Sequence, residues 1–416
     1  MTPDFTFVFL LFFGLTVAVR LWLKLRHIRY VASHRDAVPA EFAERIALAD
    51  HQKAADYTVD RSKAAILHTL IDAGVLLAFT LGGGLAALHD VWSSQLDGLA
   101  YGLAMIFSIM IISGLIDLPL SLYSQFVIEA RHGFNRMTLG LFFTDLLKQS
   151  LLGLAIGAPV IAAVLWLMGA MGEYWWLYVW LFWSGFNLLI MFVYPTWIAP
   201  LFNKFSPLED GEMKSRIEAL LTRCGFRSSG LFVMDGSKRS SHGNAYFTGF
   251  GNNKRIVFFD TLLARLQPPE VEAVLAHELG HFRKKHVVKR MVLMFAGSLA
   301  FLWLLGQLID APWFYTGLGV PAQNTTLALI LFFLVMPVFT FPLGPLMSHL
   351  SRRHEFEADA YAAQHASASD LVQALVKLYQ DNASTLTPDP LHSLFHDSHP
   401  PAAQRIAHLQ AQEKTA

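Results

Sequence analysis

Long apolar segments recur along the chain and alternate with polar loops. Most of these segments are long enough to cross about 30 Å of hydrocarbon as helices. Seven are present, at about residues 5–22, 64–88, 99–122, 150–170, 174–197, 290–309 and 325–350. The pattern predicts a mainly α-helical, polytopic membrane protein with seven transmembrane helices.

The composition agrees with this prediction. The 416 residues are 54% hydrophobic and only 15% charged, whereas about a quarter of the residues in a soluble protein are charged. The formal net charge is zero, so bulk charge favours no nucleic-acid partner. We therefore expect the lipid bilayer as a partner and no nucleic acid, and the sequence predicts no oligomeric state. The single cysteine, Cys224, fits a reducing compartment.

The distribution of basic residues predicts the orientation of the chain. If the N-terminus is outside, the three outside loops contain no Lys or Arg, and all 32 basic residues lie in inside loops or at the adjoining span ends. This is the positive-inside pattern. We expect an N-terminus outside and a C-terminus inside, in the bacterial inner membrane or the endoplasmic reticulum. Arg20 follows the first span and no basic residue precedes it, which predicts a retained anchor.

The inside loop at about 198–289 is large enough for a small domain. Residues 209–224 have the pattern of an amphipathic helix, and LFVMD, NAYFTGF and KRIVFFD have that of short strands, the last two joined by a hairpin turn at 251–253. Pro268 and Pro269 mark the start of a helix that carries HELGH. Strands followed by such a helix are typical of a zincin-like α+β protease domain, with an edge strand for extended substrate.

The HELGH motif predicts a metal site. On a helix, His277 and His281 lie four residues apart on one face and can offer two imidazoles to one ion. Glu278 lies beside them, where a general base is needed. A catalytic zinc site has three protein ligands and one open position, so a third ligand is required.

The third ligand is expected after spans six and seven, which return the chain to the inside. The segment SRRHEFEADAYA places Glu355 and Asp359 four residues apart on a second helix. One carboxylate can complete a site for one Zn²⁺ per chain, and the other can orient a histidine ligand. Periodicity alone also allows Glu357 as the ligand, and the pairing with Asp359 favours Glu355.

Five motifs, in order along nearly the whole chain, resemble the Ste24-type CAAX prenyl proteases of zinc metallopeptidase family M48. They are EARHGFNRMT, SSHGNAYFTGF with NKRIVFFDTLL, VLAHELGH, SRRHEFEADAYA and SHPPAAQRIAHL. The resemblance implies an α-barrel of seven helices around a large chamber, with the metalloprotease domain on the inside, cytosolic face. It also implies removal of the C-terminal tripeptide from prenylated CAAX proteins or peptides.

The same resemblance assigns roles to individual residues. The implied roles are zinc ligands His277, His281 and Glu355; catalytic residues Glu278, His399 and Arg405; a substrate contact at Asn244; and support of a ligand by Asp359. His399 and Arg405 are expected to face the reacting carbonyl. Donors there make physical sense, because hydrolysis builds negative charge on the carbonyl oxygen.

Four segments are expected from these features. They are 1–197 with transmembrane helices one to five and their inside loops, 198–289 as the zincin-like catalytic domain with the HExxH helix, 290–350 with helices six and seven, and 351–416 as a C-terminal inside segment with the ExxxD helix and the HPP…R motif.

Less specific interpretations remain open for several of these residues. Asn244 can be a turn residue after a glycine. His399 can belong to a simple loop, and Arg405 can bind a carbonyl at a helix end. His286 and His354 flank the two motifs, and we expect them to lie at the interface or to support the site rather than to bind metal.

Charged residues in or near the spans also have two interpretations. Asp72 and Asp117 lie within apolar segments, where ionisable residues are often functional. They can line a polar cavity or, for Asp117, hydrogen-bond locally. Arg131, Asn135 and Arg136 can contact lipid headgroups or the catalytic loop.

Three other functions are compatible with the sequence. The nearest is a general protease of membrane-protein quality control, which needs no prenyl group on its substrate. A transporter or channel with a structural zinc site is an alternative from another class, but such a site is expected to close with a fourth protein ligand. A scaffold that binds peptides without cutting them is the third.

Overall fold

The computed structural model describes residues 4–248 and 253–413, which form helices and one small sheet. Seven helical segments in this part of the chain are long and apolar enough to cross a membrane, which confirms the predicted number. They are Phe5–Ser33, Leu48–Phe79, Gly98–Arg131, Leu139–Ala170, Gly172–Leu201, His286–Leu308 and Thr325–His365.

The α-helices and strands are numbered separately in chain order. The helices are α1 (Phe5–Ser33), α2 (Leu48–Phe79), α3 (Gly84–Ser93), α4 (Gly98–Tyr123), α5 (Glu129–Arg131), α6 (Leu139–Ala170), α7 (Trp175–Val193), α8 (Glu212–Arg223), α9 (Asp260–Leu263), α10 (Pro268–Arg283), α11 (His286–Leu308), α12 (Pro312–Thr316), α13 (Thr325–Thr340), α14 (Gly344–His365), α15 (Ala368–Asp381), α16 (Pro390–His396) and α17 (Ala402–Glu413). The strands are β1 (Phe205–Pro207), β2 (Arg227–Met234), β3 (Ala245–Thr248) and β4 (Asn253–Phe259).

Several helices differ in length from the apolar segments that predicted them. The second span begins at Leu48 rather than near residue 64, because its helix also includes the polar residues that precede the apolar segment. It ends at Phe79 rather than near residue 88, at a glycine-rich turn before α3. Gly83 has a φ of +78° there, a conformation that glycine adopts without a steric penalty.

The seventh span leads directly into the SRRHEFEADAYA motif. A single 3₁₀ turn, Phe341–Leu343, joins α13 to α14, and α14 carries Glu355 and Asp359. The helix predicted to carry Glu355 and Asp359 is therefore an extension of a membrane helix rather than a separate helix.

The sheet has the order β1-β2-β4-β3. Strands β2 and β4 are parallel, whereas β1 and β3 each pair antiparallel with their neighbour. The predicted strands are present, and β1 is an additional one. Strand β3 lies at an edge of the sheet. Residues 251 and 252 of the predicted hairpin turn at 251–253 lie outside the described residues.

One hydrophobic core joins the segment between spans five and six to the C-terminal segment. Its buried residues come from α8, the sheet, α10, α14, α15 and α17, and include Leu220, Ile256, Leu275, Leu375 and Leu409. The region before span six and the C-terminal region therefore fold against each other. This packing places the HELGH helix and the Glu355 helix in one unit.

The loop before α6 contacts the unit built around this core. Asn135 forms an isolated β-bridge to the turn after β2, and the Arg136 backbone N–H donates to the Arg239 carbonyl at 3.1 Å. Arg239 in turn donates twice to Asp145 on α6, at 2.8 and 3.1 Å. Arg131 instead pairs with a carboxylate on α2 at 2.9 Å. Asn135 and Arg136 thus contact the loop that follows β2, in agreement with the second of their two interpretations.

The two aspartates within the spans line a cavity of about 680 Å³. His68 lies between them, with Nδ1 2.9 Å from Asp72 and Nε2 3.0 Å from Asp117. Ser121 also donates to Asp117 at 3.0 Å. An adjoining cavity of about 1010 Å³ shares Asp117 and Ser121. Both aspartates therefore line a cavity, and Asp117 has a local hydrogen bond as well.

Candidate metal centre and active site

The HELGH helix, α10, has a well-defined start. Pro268 occupies its first turn, and the side chains and backbones of Gln267 and Glu270 form a capping box. Glu270 is buried and pairs with Lys377 of α15 at 2.6 Å. The apolar face of α10 then enters the core through Val271, Leu275 and Leu279. These contacts fix the helix, so that the opposite face can present the motif.

The glycine of HELGH allows α10 and α14 to approach closely. A Cβ atom at Gly280 would lie 3.0 Å from the Cα and 3.1 Å from the carbonyl oxygen of Ala358. Any larger residue would push the helices apart, because protein interiors are tightly packed. Helical periodicity within α10 does not predict this contact between Gly280 and Ala358. The close contact brings Glu355 across to the two histidines.

Three side chains converge where these helices meet. The Nε2 atoms of His277 and His281 are 3.2 Å apart. The Glu355 carboxylate oxygens lie 3.4 Å from the His277 Nε2 and 3.3 Å from the His281 Nε2. A tetrahedral zinc site with bonds near 2.0–2.1 Å has ligand atoms about 3.3 Å apart. The two imidazoles and the Glu355 carboxylate, which turns a different oxygen towards each ring, therefore lie at the distances expected around one face of such a site.

The chemistry of the donor set also fits a metal ion. The side chains of His277, His281 and Glu355 are only 8%, 12% and 7% exposed. The Glu355 Oε2 is buried and has no hydrogen-bond partner, which is costly unless a ligand satisfies it. In the described part of the chain, these three residues form the one group found that could hold a metal ion. Three ligands leave one position of a tetrahedron open.

A buried carboxylate and a guanidinium support His277. Its Nδ1 lies 2.8 Å from Asp359, and Arg405 donates to both oxygens of Asp359 at 2.6 and 2.9 Å. Burial alone would lower the pKa of His277, but the Asp359 and Glu355 carboxylates outweigh burial and raise that pKa to about 9. The two carboxylates therefore stabilise positive charge beside them.

Glu278 lies next to His277 on α10 and is half-buried. Within the described residues, its carboxylate takes part in no hydrogen bond or ion pair. Glu278 is therefore available as the general base that the HELGH motif predicts.

Two of the remaining predicted site residues, His399 and Arg405, lie beside these three side chains. The exposed His399 ring has its Nε2 3.6 Å from Glu355, and the Arg405 Nη1 is 3.8 Å from the same oxygen. Asn244 is exposed and directly precedes the edge strand β3, and its backbone carbonyl accepts from the Phe259 N–H at 3.0 Å. The structure thus brings His399 and Arg405 close to Glu355 and places Asn244 directly before the edge strand.

Glu357, the alternative ligand from periodicity, lies away from the two motif imidazoles. Its Oε2 is 3.0 Å from the His286 Nε2, and Arg353 donates to its other oxygen at 3.2 Å. Glu355 rather than Glu357 therefore lies beside both imidazoles of HELGH. The contact between Glu357 and His286 was not anticipated, since it joins two helices that are far apart in sequence.

Comparison with known proteins agrees with this arrangement. Residues 27–204 match the CAAX prenyl protease N-terminal region with five membrane helices, and residues 207–413 match peptidase family M48. The chain is 38% identical over 379 residues to the CAAX prenyl protease 1 homolog of Arabidopsis thaliana, covering 87% of this chain and 88% of that protein. The human homolog is 33% identical over 428 residues, covering 91% and 89%.

A solved structure has the same fold. The crystal structure of S. mikatae Ste24p matches with a TM-score of 0.89 at 32% identity, covering 98% of this chain and 99% of that chain. The predicted fold class is therefore confirmed. The chain belongs to the Ste24-type CAAX prenyl proteases of peptidase family M48 and is an integral-membrane metalloendopeptidase.

Proposed function

We propose that the chain is a zinc endopeptidase that removes the C-terminal tripeptide of CAAX-type substrates carrying a prenyl group. The observation that carries the zinc assignment is the spacing of 3.2–3.4 Å among the ligand atoms of His277, His281 and Glu355. Their carboxylate and imidazole donors suit Zn²⁺, and we propose one ion per chain. The substrate class is supported by relatives named CAAX prenyl protease 1.

The residues around the proposed ligands have different roles in the reaction. When bound, zinc acts as a Lewis acid that polarises the scissile carbonyl and makes a water molecule nucleophilic near neutral pH. Glu278 takes the proton of the attacking water and returns it to the leaving amine. His399 and the Arg405 Nη1 donate to the carbonyl oxygen as its negative charge grows. Asp359 accepts from His277 Nδ1–H and so keeps Nε2 directed at the ion.

Substrate binding is assigned to the sheet edge. Strand β3 pairs with β4 on one side only, so an extended peptide can add to its free side through main-chain hydrogen bonds. Asn244 lies at the start of this strand, and we propose that its exposed side chain contacts the substrate backbone. Peptides and proteins are substrates of the family, whereas the need for a prenyl group is part of this proposal.

We also propose an orientation with the N-terminus outside and the active site on the inside, cytosolic face. The support is the absence of Lys and Arg from all three opposite loops. The four sequence segments, 1–197, 198–289, 290–350 and 351–416, are proposed as the domain division. In that division the second and fourth segments share one hydrophobic core.

Mass spectrometry of the products tests the proposed reaction. Purified protein incubated with a farnesylated CAAX peptide is expected to release the last three residues. A chelator should stop the release, and added Zn²⁺ should restore it. Release that survives complete removal of metal would contradict the zinc assignment.

A matched peptide without the prenyl group separates the two protease functions. We expect it to be cleaved more slowly at the same bond. Equal rates, or cleavage at many other bonds, would favour the general quality-control protease. The interpretation as a transporter or channel is set aside, since the chain is a metalloendopeptidase.

A further inference from the structure

His281, the second histidine of HELGH, is linked to a carboxylate through another histidine. The His281 Nδ1 is 2.9 Å from the His286 Nδ1, and the His286 Nε2 is 3.0 Å from the Glu357 Oε2. His286 is fully buried, with a side-chain exposure of 0%, and Glu357 is 28% exposed. Neither His286 nor Glu357 has a part in the reaction described above.

The direction of these hydrogen bonds follows from the proposed metal centre. If His281 presents Nε2 to the ion, its Nδ1 carries the hydrogen and donates to His286. The His286 Nδ1 must then accept, so the hydrogen of this ring is on Nε2 and is donated to Glu357. All three groups are satisfied by this single arrangement. It fixes the tautomer of His281 that metal binding requires.

The backbone next to His286 is strained in a way that serves this contact. Lys285 has a φ of +58°, in the left-handed region that residues other than glycine rarely adopt. It separates the end of α10 from His286, the first residue of α11. The turn folds the start of α11 back onto the motif helix. Such strain persists where the surroundings impose it, and it often marks a functional site.

The ring and the carboxylate are each held from a further side. The His354 ring stacks on His286, with centroids 4.0 Å apart and planes at 13°. Arg353 donates to the Glu357 Oε1 at 3.2 Å, and the Lys289 ammonium lies 3.9 Å from Oε2. The stacked His354 ring leaves His286 little freedom to rotate away from His281, whereas the Arg353 side chain is 71% exposed and adds only a weak surface ion pair to Glu357.

We propose that His286 and Glu357 are positioning residues that hold His281 in the orientation and tautomer required for metal binding. Helix α14 would then support both imidazoles, with Asp359 bound to His277 directly and Glu357 bound to His281 through His286. The proposal rests on the metal centre proposed above. Partners that orient a metal-bound histidine typically contribute about 10–100-fold to metal affinity.

Zinc affinity of the metal-free, full-length protein tests this role without relying on activity. Competition with a chromophoric chelator is expected to show about 10–100-fold weaker binding for His286→Phe and Glu357→Leu. Glu357→Gln keeps an oxygen acceptor and should recover most of the affinity. Arg353→Gln removes the other partner of the same carboxylate and should bind zinc like the wild type.

Cobalt(II) provides the spectroscopic readout. The visible absorption of Co²⁺ reports the geometry of its ligands, so we expect an altered spectrum for His286→Phe and Glu357→Leu and an unaltered one for Arg353→Gln. A loss of fold alone would not reproduce this pattern, and thermal unfolding of each metal-free variant shows whether it is folded. If His286→Phe does not fold, the Glu357→Leu and Glu357→Gln pair decides the question.

The outcomes separate this proposal from the proposed function. Wild-type zinc affinity and an unaltered cobalt spectrum in Glu357→Leu would overturn the positioning role and leave the metal centre intact. Equally weak binding in Glu357→Gln and Glu357→Leu would also overturn it, because the hydrogen-bond acceptor would not matter. Absence of zinc binding by the wild type would refute the metal centre itself.

Discussion

Replacing Glu278 by glutamine is expected to lower the rate of peptide hydrolysis by about 10²–10⁴-fold while metal content stays at the wild-type level. The amide is nearly the same size as the carboxylate but cannot take a proton from water. Glu278 is not among the three convergent ligands, so the ion should remain bound. Hydrolysis rates and zinc per chain, measured on the same preparation, check both parts.

Glu272→Gln is the matched control on the same helix. Glu272 pairs with Arg216 at 3.2 Å and Arg223 at 2.8 Å, away from the histidines. We expect its hydrolysis rate to stay close to that of the wild type. If Glu278→Gln hydrolyses peptide as fast as this control, Glu278 is not the general base.

The second large effect is expected at Glu355. Its replacement by alanine removes one of three ligands and leaves two imidazoles, which hold zinc weakly. Metal affinity should fall by more than the roughly 100-fold that supporting partners can contribute, and hydrolysis should be lost with it. Chelator competition for affinity, together with a peptide assay at several zinc concentrations, measures the two effects.

Glu357→Ala gives the decisive comparison, because helical periodicity allowed either glutamate as the ligand. We expect its loss of affinity to stay within about 10–100-fold, and high zinc should restore its hydrolysis. A larger loss at position 357 than at 355 would show that the ligand had been assigned to the wrong residue.

Much of the architecture could be predicted because its signals are local. Spans are visible as apolar segments, and the two imidazoles of HELGH are placed by helix geometry alone. The carboxylate helix was found by counting membrane crossings, since an even number returns the chain to the same side. Glu355 then follows from its spacing to Asp359.

The parts that could not be predicted depend on how separate elements approach each other. The role of Gly280 appears only when α10 lies against Ala358 of α14. The link from His281 to Glu357 passes through His286, a contact set by a strained turn. Strand β1 was missed because Phe205–Pro207 is only three residues long and contains a proline.

The most direct test of the metal centre is anomalous X-ray diffraction at the zinc absorption edge from crystals of protein loaded with one equivalent of zinc. We expect one peak per chain, about 2.0–2.2 Å from the Nε2 atoms of His277 and His281 and from a Glu355 carboxylate oxygen. A peak at another position, or no peak between these residues in fully loaded protein, would contradict the assignment.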